Sequence, residues 1–348
     1  MNTAAATSII DKHPAPPVVT PPAGFELSST WQIASGEWRS SLRRTGAKAG
    51  KAGESRTDLP ALYAAARSRK PRLLRPTRLT DAGKAVLFTD LQAGKTDHRG
   101  GTAELVERMA EKRQMLDEQI TRDRPSSLAL LDGGDGIESF AQTAGQAFTN
   151  DLSLMDQVDV YATELYEMIR MMARHGVPLT VAGVPSNHSA WRNGKQALGK
   201  PSDDWGLHVH KQVEKITRAQ GLDVAFVKPR DQFSESLSFD FAGHRLGLTH
   251  GHQAGPGKFG DWFSKQAHGG GPLFDADIVA SGHYHAPAYG LIGRLPNGWQ
   301  RHHLQGPTLD NGSSWYRNSS GGTDSDPGLM TFDVRPGVQF DMGAVGML

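Results

Sequence analysis

Five short apolar runs in this chain each stop at a residue able to ligate a metal, and that repetition constrains the fold more than any other feature. Ala85-Val86-Leu87-Phe88 leads to Asp90 and Gln92, and Leu128-Ala129-Leu130-Leu131 leads to Asp135. Leu179-Thr180-Val181-Ala182 leads to Asn187 and His188, and Leu246-Gly247-Leu248-Thr249 leads to His250. Ile278-Val279-Ala280 leads to Ser281-Gly282-His283-Tyr284-His285. Short apolar runs bounded by turn-forming residues read as buried strands. Polar side chains placed just past such strands sit on loops held by a rigid scaffold. Two histidines one residue apart, behind a glycine, can both turn to one point. The set predicts a metal centre, with two ions.

Helical patterns separate the early runs. Residues 103–121 place Leu105, Met109, Leu116 and Ile120 on one face, and 156–174 do the same with Val158, Tyr161, Leu165, Met168, Ile169 and Met172. Residues 203–220 predict a third helix with Leu207, Val213 and Ile216 inward; His208 and His210 lie on it without acids nearby in sequence and read as structural. Further on, Ser236–Phe241 and Arg245–Thr249 flank Ala242-Gly243-His244 as a hairpin. Strand–helix alternation early and strand clusters late predict an α/β chain of two packed sheets flanked by helices. Residues 251–271 are rich in glycine and carry Lys258, Phe259, Trp262 and Phe263, which predicts a long loop acting as a functional lid.

The 348 residues suffice for one large domain with appendages. Residues 1–30, with Pro14, Pro16, Pro17, Pro21 and Pro22, read as a disordered tail, 31–80 as a basic extension and 81–348 as the catalytic domain. Between Gly36 and Thr80 lie 12 Lys and Arg against Glu37, Glu54 and Asp58, although the whole chain has a net charge of only +1. A basic arm on a mildly acidic body points to a polyanionic partner, nucleic acid foremost, with a solvated linker as the plainer alternative. No apolar run is long enough to span a membrane, and residues 1–20 lack the pattern of a secretory signal. Cysteine is absent, which excludes disulfides and thiolate sites and leaves His, Asp, Asn and Gln as donors. This fits the cytoplasm, or the host cytoplasm were the chain phage-encoded. Oligomeric state is not legible in the sequence.

The ordered set Asp90-x-Gln92, Gly134-Asp135-x-x-Glu138, Asn187-His188, His250 and Gly282-His283-x-His285 resembles the calcineurin-like metallophosphoesterase superfamily, in particular its phage and Mre11-like members. The resemblance covers roughly Lys84 to Phe340. It implies a four-layer αββα sandwich. It also implies that Asp135 bridges two ions, with Asp90, Gln92 and His285 completing one site and Asn187, His250 and His283 the other. His188 would act as general acid. The chemistry would be phosphoester hydrolysis, most naturally of phosphodiesters by a nuclease or DNA-end-processing enzyme. The alternatives are a phosphomonoesterase on nucleotides or phosphoproteins, and a degenerate binding module. Two divalent ions about 3.5–4 Å apart clamp a phosphate and bring the pKa of a bound water near neutrality.

Three positions depart from the superfamily pattern. Gln92 stands where His is usual, and an amide oxygen favours Mn²⁺ or Mg²⁺ over Zn²⁺, with Fe²⁺ and Ni²⁺ also open. Pro185-Ser186 replaces a glycine before Asn187. Ser189 replaces an acid after His188, so Asp132, Glu138 or a backbone carbonyl must orient that imidazole. Arg192, Lys195 and Arg99 are candidates for substrate phosphate, and His252 for a place beside the ligands. His302 and His303 are not expected to ligate.

Overall fold

The computed structural model describes residues 20, 25–32, 38–44, 58–60, 63–64, 79–140, 146–193, 196–314, 317–318 and 325–348. The chain divides into two compact units, Met1–Ser55 and Arg56–Leu348. In the first, β1 (Phe25–Gln32) pairs antiparallel with β2 (Trp38–Arg44). Residues 25–30, expected in an unstructured tail, therefore lie in β1. Most of the Pro-rich and basic segments fall outside the described residues, as does Lys195.

The second unit begins with β3 (Gly83–Phe88), α1 (Thr102–Asp123) and β4 (Ser127–Asp132). Then come α2 (Leu154–Ala173), β5 (Leu179–Gly183), a short ribbon of β6 (Arg192–Asn193) and β7 (Gln196–Ala197), α3 (Trp205–Ala219) and β8 (Val224–Val227). The later half holds β9 (Ser236–Phe241), β10 (His244–Thr249), α4 (Phe259–His268), β11 (Ile278–Ser281), β12 (Ala288–Arg294) and β13 (Gln300–Gln305). It closes with β14 (Met330–Val334) and β15 (Val345–Met347).

Two mixed sheets form, in the orders β15-β14-β3-β4-β5-β8 and β12-β13-β11-β10-β9. Within the first, β3, β4, β5 and β8 run parallel; within the second, β10, β11 and β13 do. Successive side chains of a strand point to opposite faces, and both faces here are covered. Val86 and Phe88 of β3 face α1 and α2 with Leu105, Met109, Val160 and Leu165, while Ala85 and Leu87 face the second sheet with Leu246, Leu248, Ile278 and Leu304. Burial on both faces explains why the runs were continuous rather than alternating. On the outside of the second sheet, Phe263 of α4 packs on Leu273, Ala276 and Val279. The layers are therefore helices, sheet, sheet, helix: the four-layer αββα sandwich that the resemblance implied.

Two expectations fail. The glycine-rich stretch 251–271 is not a free lid, because residues 259–268 form α4 and Phe263 is buried in the outer core. Phe259, Trp262 and Phe263 are spaced i, i+3, i+4, a helical pattern that the flanking glycines obscured. Ile216, expected inward, is exposed, and Val213 and Thr217 make the buried stripe of α3.

Candidate metal centre

Parallel pairing aligns the strand ends. Phe88 lies opposite Asp132 and Asp132 opposite Gly183 in one sheet, and Leu248 lies opposite Ala280 in the other. The loops beyond those carboxyl ends share one edge, where open α/β sheets bind ligands. They are laced together by backbone bonds: Asp90 N to Gly134 O at 3.0 Å, Gln92 N to Asp135 O at 2.8 Å and Gly282 N to His250 O at 2.9 Å. Among the described residues, the non-glycine positions with positive φ include Asp90 (54°), Gln92 (45°), Asp135 (51°), His283 (73°) and His285 (56°). Backbone strain of this kind collects where side-chain direction matters more than local comfort. All five are predicted ligands.

Asp135, His250 and His283 bring ligand atoms within 4.8 Å of one another. His250 Nδ1 lies 2.8 Å from Gly133 O; a carbonyl only accepts, so the ring proton sits on Nδ1. That leaves Nε2 facing Asn187 Oδ1 at 2.8 Å and Asp135 Oδ2 at 3.0 Å. Asp135 Oδ2 is buried without a hydrogen-bond partner. Three lone pairs converging in a buried place call for a cation or for a second proton on the ring. Burial lowers the His250 pKa, yet Asp135 outweighs it and raises the group above its ordinary value. Asp135 is held well below the usual carboxylate range: burial alone would raise it, but His250 and His188 reverse that. His283 is pushed down to about 3, first by burial and then by the His250 charge, which keeps its lone pair available. These residues fit a divalent ion.

The Asp90 side differs. Asp90 Oδ2 accepts from Thr89 Oγ1 at 2.6 Å and from His283 N at 3.0 Å, while its Oδ1 lies 3.3 Å from His285 Nε2. His285 Nδ1 lies 3.2 Å from Asp310 Oδ2. Burial disfavours its charge, but Asp310 and then Asp90 push its pKa up to about 10. Gln92 Oε1 accepts from Lys95 Nζ at 2.6 Å, which turns the amide oxygen towards the lysine.

His188 stands beside the centre. Its backbone N donates to Asp135 Oδ1 at 2.8 Å, and its Nδ1 lies 2.9 Å from Glu138 O and 3.4 Å from Glu138 Oε2. Glu138 thus supplies the orienting group that Ser189 does not, through its backbone carbonyl and its carboxylate. Asp132 has another task, accepting from Tyr161 Oη at 2.5 Å and lying 2.8 Å from His210 Nε2. His210 therefore does have a partner acid, supplied by β4. Ser186, in the place of the usual glycine, accepts from Asp135 N at 2.8 Å through Oγ, and its own N donates to Asp204 Oδ2 at 3.0 Å.

Arg192 donates to Asn187 O at 3.3 Å, beside a predicted ligand. Arg99 pairs with Asp326 at 3.2 Å and its N donates to Asn311 O at 3.1 Å, so its contacts are with the loops near Asp310 rather than with the His250 cluster. The His252 ring lies 5.4 Å from His250 and 6.1 Å from His283, next to the ligands. His303 stacks on Phe259 with its Nε2 2.9 Å from Ser281 Oγ, and His302 meets Tyr289; neither joins the ligand set. Sequence reasoning missed Asp310, Lys95 and Asp204. Asp310 also follows a strand end, five positions past β13, where no motif marks it as a partner of the site.

No family model matches the chain, and no curated protein matches it. Among solved structures it is similar to a Zn²⁺ complex of Vps29 from Entamoeba histolytica, at 12% identity over 76% of this chain and 97% of that one, with a TM-score of 0.35. A predicted phosphoesterase from Streptococcus pneumoniae follows at 10% identity over 77% and 98%, TM-score 0.31. A putative 5'-nucleotidase from Staphylococcus aureus follows at 12% over 77% and 54%, TM-score 0.33. Likenesses this remote carry no activity, substrate or metal over to this chain.

Proposed function

We propose that this chain is a divalent-metal-dependent phosphoesterase that hydrolyses phosphodiesters, with nucleic acid as its substrate class. The observation that supports it best is the convergence of His250 Nε2, Asn187 Oδ1 and the buried Asp135 Oδ2, which has no hydrogen-bond donor assigned, with His283 completing the set. A bound divalent ion would supply Lewis acidity to a phosphoryl oxygen and lower the pKa of a water; a set of two oxygens and two imidazole nitrogens accommodates Mn²⁺ as well as Zn²⁺ or Fe²⁺.

The residues divide the remaining work. Asp135 holds His188 in place through the His188 backbone N, and the Glu138 carbonyl accepts the hydrogen bond from Nδ1–H. Nε2 is then the atom that presents a proton to the departing ester oxygen. Burial would depress this imidazole, but Asp135 and Glu138 push it up to about 9, so it is protonated at neutral pH. A cation on Asp135 would cancel part of that attraction and bring the group nearer neutrality, where an acid works best. Arg192, fixed on the Asn187 carbonyl, is placed to meet a phosphate oxygen. The preference for nucleic acid rests on the 12 basic residues between Gly36 and Thr80.

The test is a substrate panel with Mn²⁺: single- and double-stranded DNA, RNA, bis-p-nitrophenyl phosphate and p-nitrophenyl phosphate, with Asp135→Ala as the blank. The expected result is metal-dependent cleavage of diesters faster than of the monoester. Monoester preference would move the chain to the phosphomonoesterase class. No hydrolysis above the blank on any substrate would overturn the enzymatic reading.

A further inference from the structure

The two halves of the centre do not treat a cation alike. Lone pairs converge on the Asp135 side, whereas the Asp90 side already contains a positive charge. Lys95 is 8% exposed. Its ammonium donates to Asp310 Oδ2 at 2.5 Å and to Gln92 Oε1 at 2.6 Å. Local structure sets up the second contact: Lys95 N donates to Gln92 O at 3.0 Å, and Gly94 takes φ 91°, so a tight turn puts the two side chains next to each other.

An ammonium is a donor only, so Lys95 dictates how the Gln92 amide lies. The oxygen turns to the lysine and the NH₂ turns to His285 Nε2, at 3.4 Å. The face of Gln92 towards His285 and Asp90 therefore presents hydrogens, which repel a metal ion. Asp310 is committed as well: Oδ2 serves Lys95 and His285 Nδ1, and Oδ1 accepts from Gly312 N at 2.9 Å. Burying an ammonium is costly unless it is paired and hydrogen-bonded; the local turn supplies Gln92, and Asp310 comes from 215 positions away.

We propose that Lys95 is a built-in cation of this centre: the chain binds one divalent ion tightly, through Asp135, Asn187, His250 and His283, and the Lys95 ammonium takes the electrostatic place of a second ion beside Gln92. The proposal rests on reading the Asp135 cluster as a metal site. Lysine suits the role as a compact point charge on a long stem, fixed by Asp310 whatever the metal concentration. Lys95 is thereby a positioning residue for Gln92 and the determinant of metal count.

Metal count tests this without any assay of activity. Full-length protein is titrated with Mn²⁺ and read by native mass spectrometry and low-temperature electron paramagnetic resonance. The wild type is expected to hold one Mn²⁺ per chain, with an uncoupled spectrum. Lys95→Met combined with Asp310→Asn removes the ammonium and its counter-charge together; Lys95→Gln serves as a second variant of similar reach. At least one of them, folded by circular dichroism, is expected to take a second Mn²⁺ at least tenfold more tightly than the wild type does, with a coupled spectrum. Two ions of similar affinity in the wild type would overturn the proposal and leave the phosphoesterase reading intact. Folded variants that both still take only one ion would also overturn the role of Lys95. No ion in the wild type would overturn the metal centre itself.

Discussion

Gly282 offers a test of how the ligand loops are packed. A Cβ at this position would lie 2.0 Å from Thr89 Oγ1 and 2.3 Å from Asp90 Oδ2. Its φ is not among the positive values, so space rather than backbone conformation demands glycine. Neither neighbour can retreat cheaply. Thr89 Oγ1 donates to Asp90 Oδ2 at 2.6 Å, and the same carboxylate accepts from His283 N at 3.0 Å. Overpacking a buried site costs about 1–3 kcal/mol. Losing one hydrogen bond to a charged group adds about 1.5–3 kcal/mol. Gly282→Ala is therefore expected to lower the unfolding free energy by about 2.5–6 kcal/mol. Gly290 in β12 is the matched control, since a Cβ there meets nothing within 4 Å and its φ is not positive. Gly290→Ala should be neutral, or stabilising by up to about 1 kcal/mol. Urea denaturation in EDTA, followed by far-ultraviolet circular dichroism, compares the two without any contribution from bound metal. A Gly282→Ala protein within about 1 kcal/mol of wild type would refute the claim that close backbone approach positions Asp90.

Three further outcomes are expected. His188→Ala should lower the turnover of diesters with alkoxide leaving groups by about 10²–10⁴-fold and that of p-nitrophenyl esters far less, because a good leaving group needs no proton; equal losses on both would remove the general-acid role. Tyr161→Phe should cost about 1.5–3 kcal/mol in urea denaturation, the worth of its bond to the buried Asp132 carboxylate, and a neutral effect would mean that His210 and Gly134 N satisfy Asp132 alone. His303 is pushed down to about 3 by burial. The folded state thus resists a proton that the unfolded chain accepts near 6.5, and stability present above that pH is lost as the pH falls towards 3. The full difference corresponds to roughly 5 kcal/mol at 1.36 kcal/mol per unit. Unfolding measured at pH 7, 5 and 4 should show a shallower acid loss in His303→Gln than in wild type, and parallel curves would dismiss His303 as a source of acid sensitivity.

The ligand-bearing strand ends were legible because their signal is local. An apolar run of four residues followed by Asp, Asn or His needs no knowledge of the partner strand. The same holds for the helices, whose buried positions recur within a few turns; α2 buries Tyr161, Leu165, Met168, Ile169 and Met172 as the pattern implied. Where a local signal was weak or masked, the reading failed. Glycines on both sides hid α4, and no motif past β13 singles out Asp310.

From its order of residues alone, the chain determined that an α/β scaffold would present Asp90, Asp135, Asn187, His188, His250, His283 and His285 on loops after strands. Tertiary structure decided what those residues meet. Lys95 and Asp310 are 215 positions apart, and Asp132 and His210 are 78 apart. The partner of His188 is partly the Glu138 backbone carbonyl, a group that every residue carries and no side chain advertises. Periodicity is a property of neighbours along the chain, whereas the direction of an amide and the charge beside it depend on what folding brings from elsewhere. That the Gln92 oxygen meets the Lys95 ammonium became legible only there.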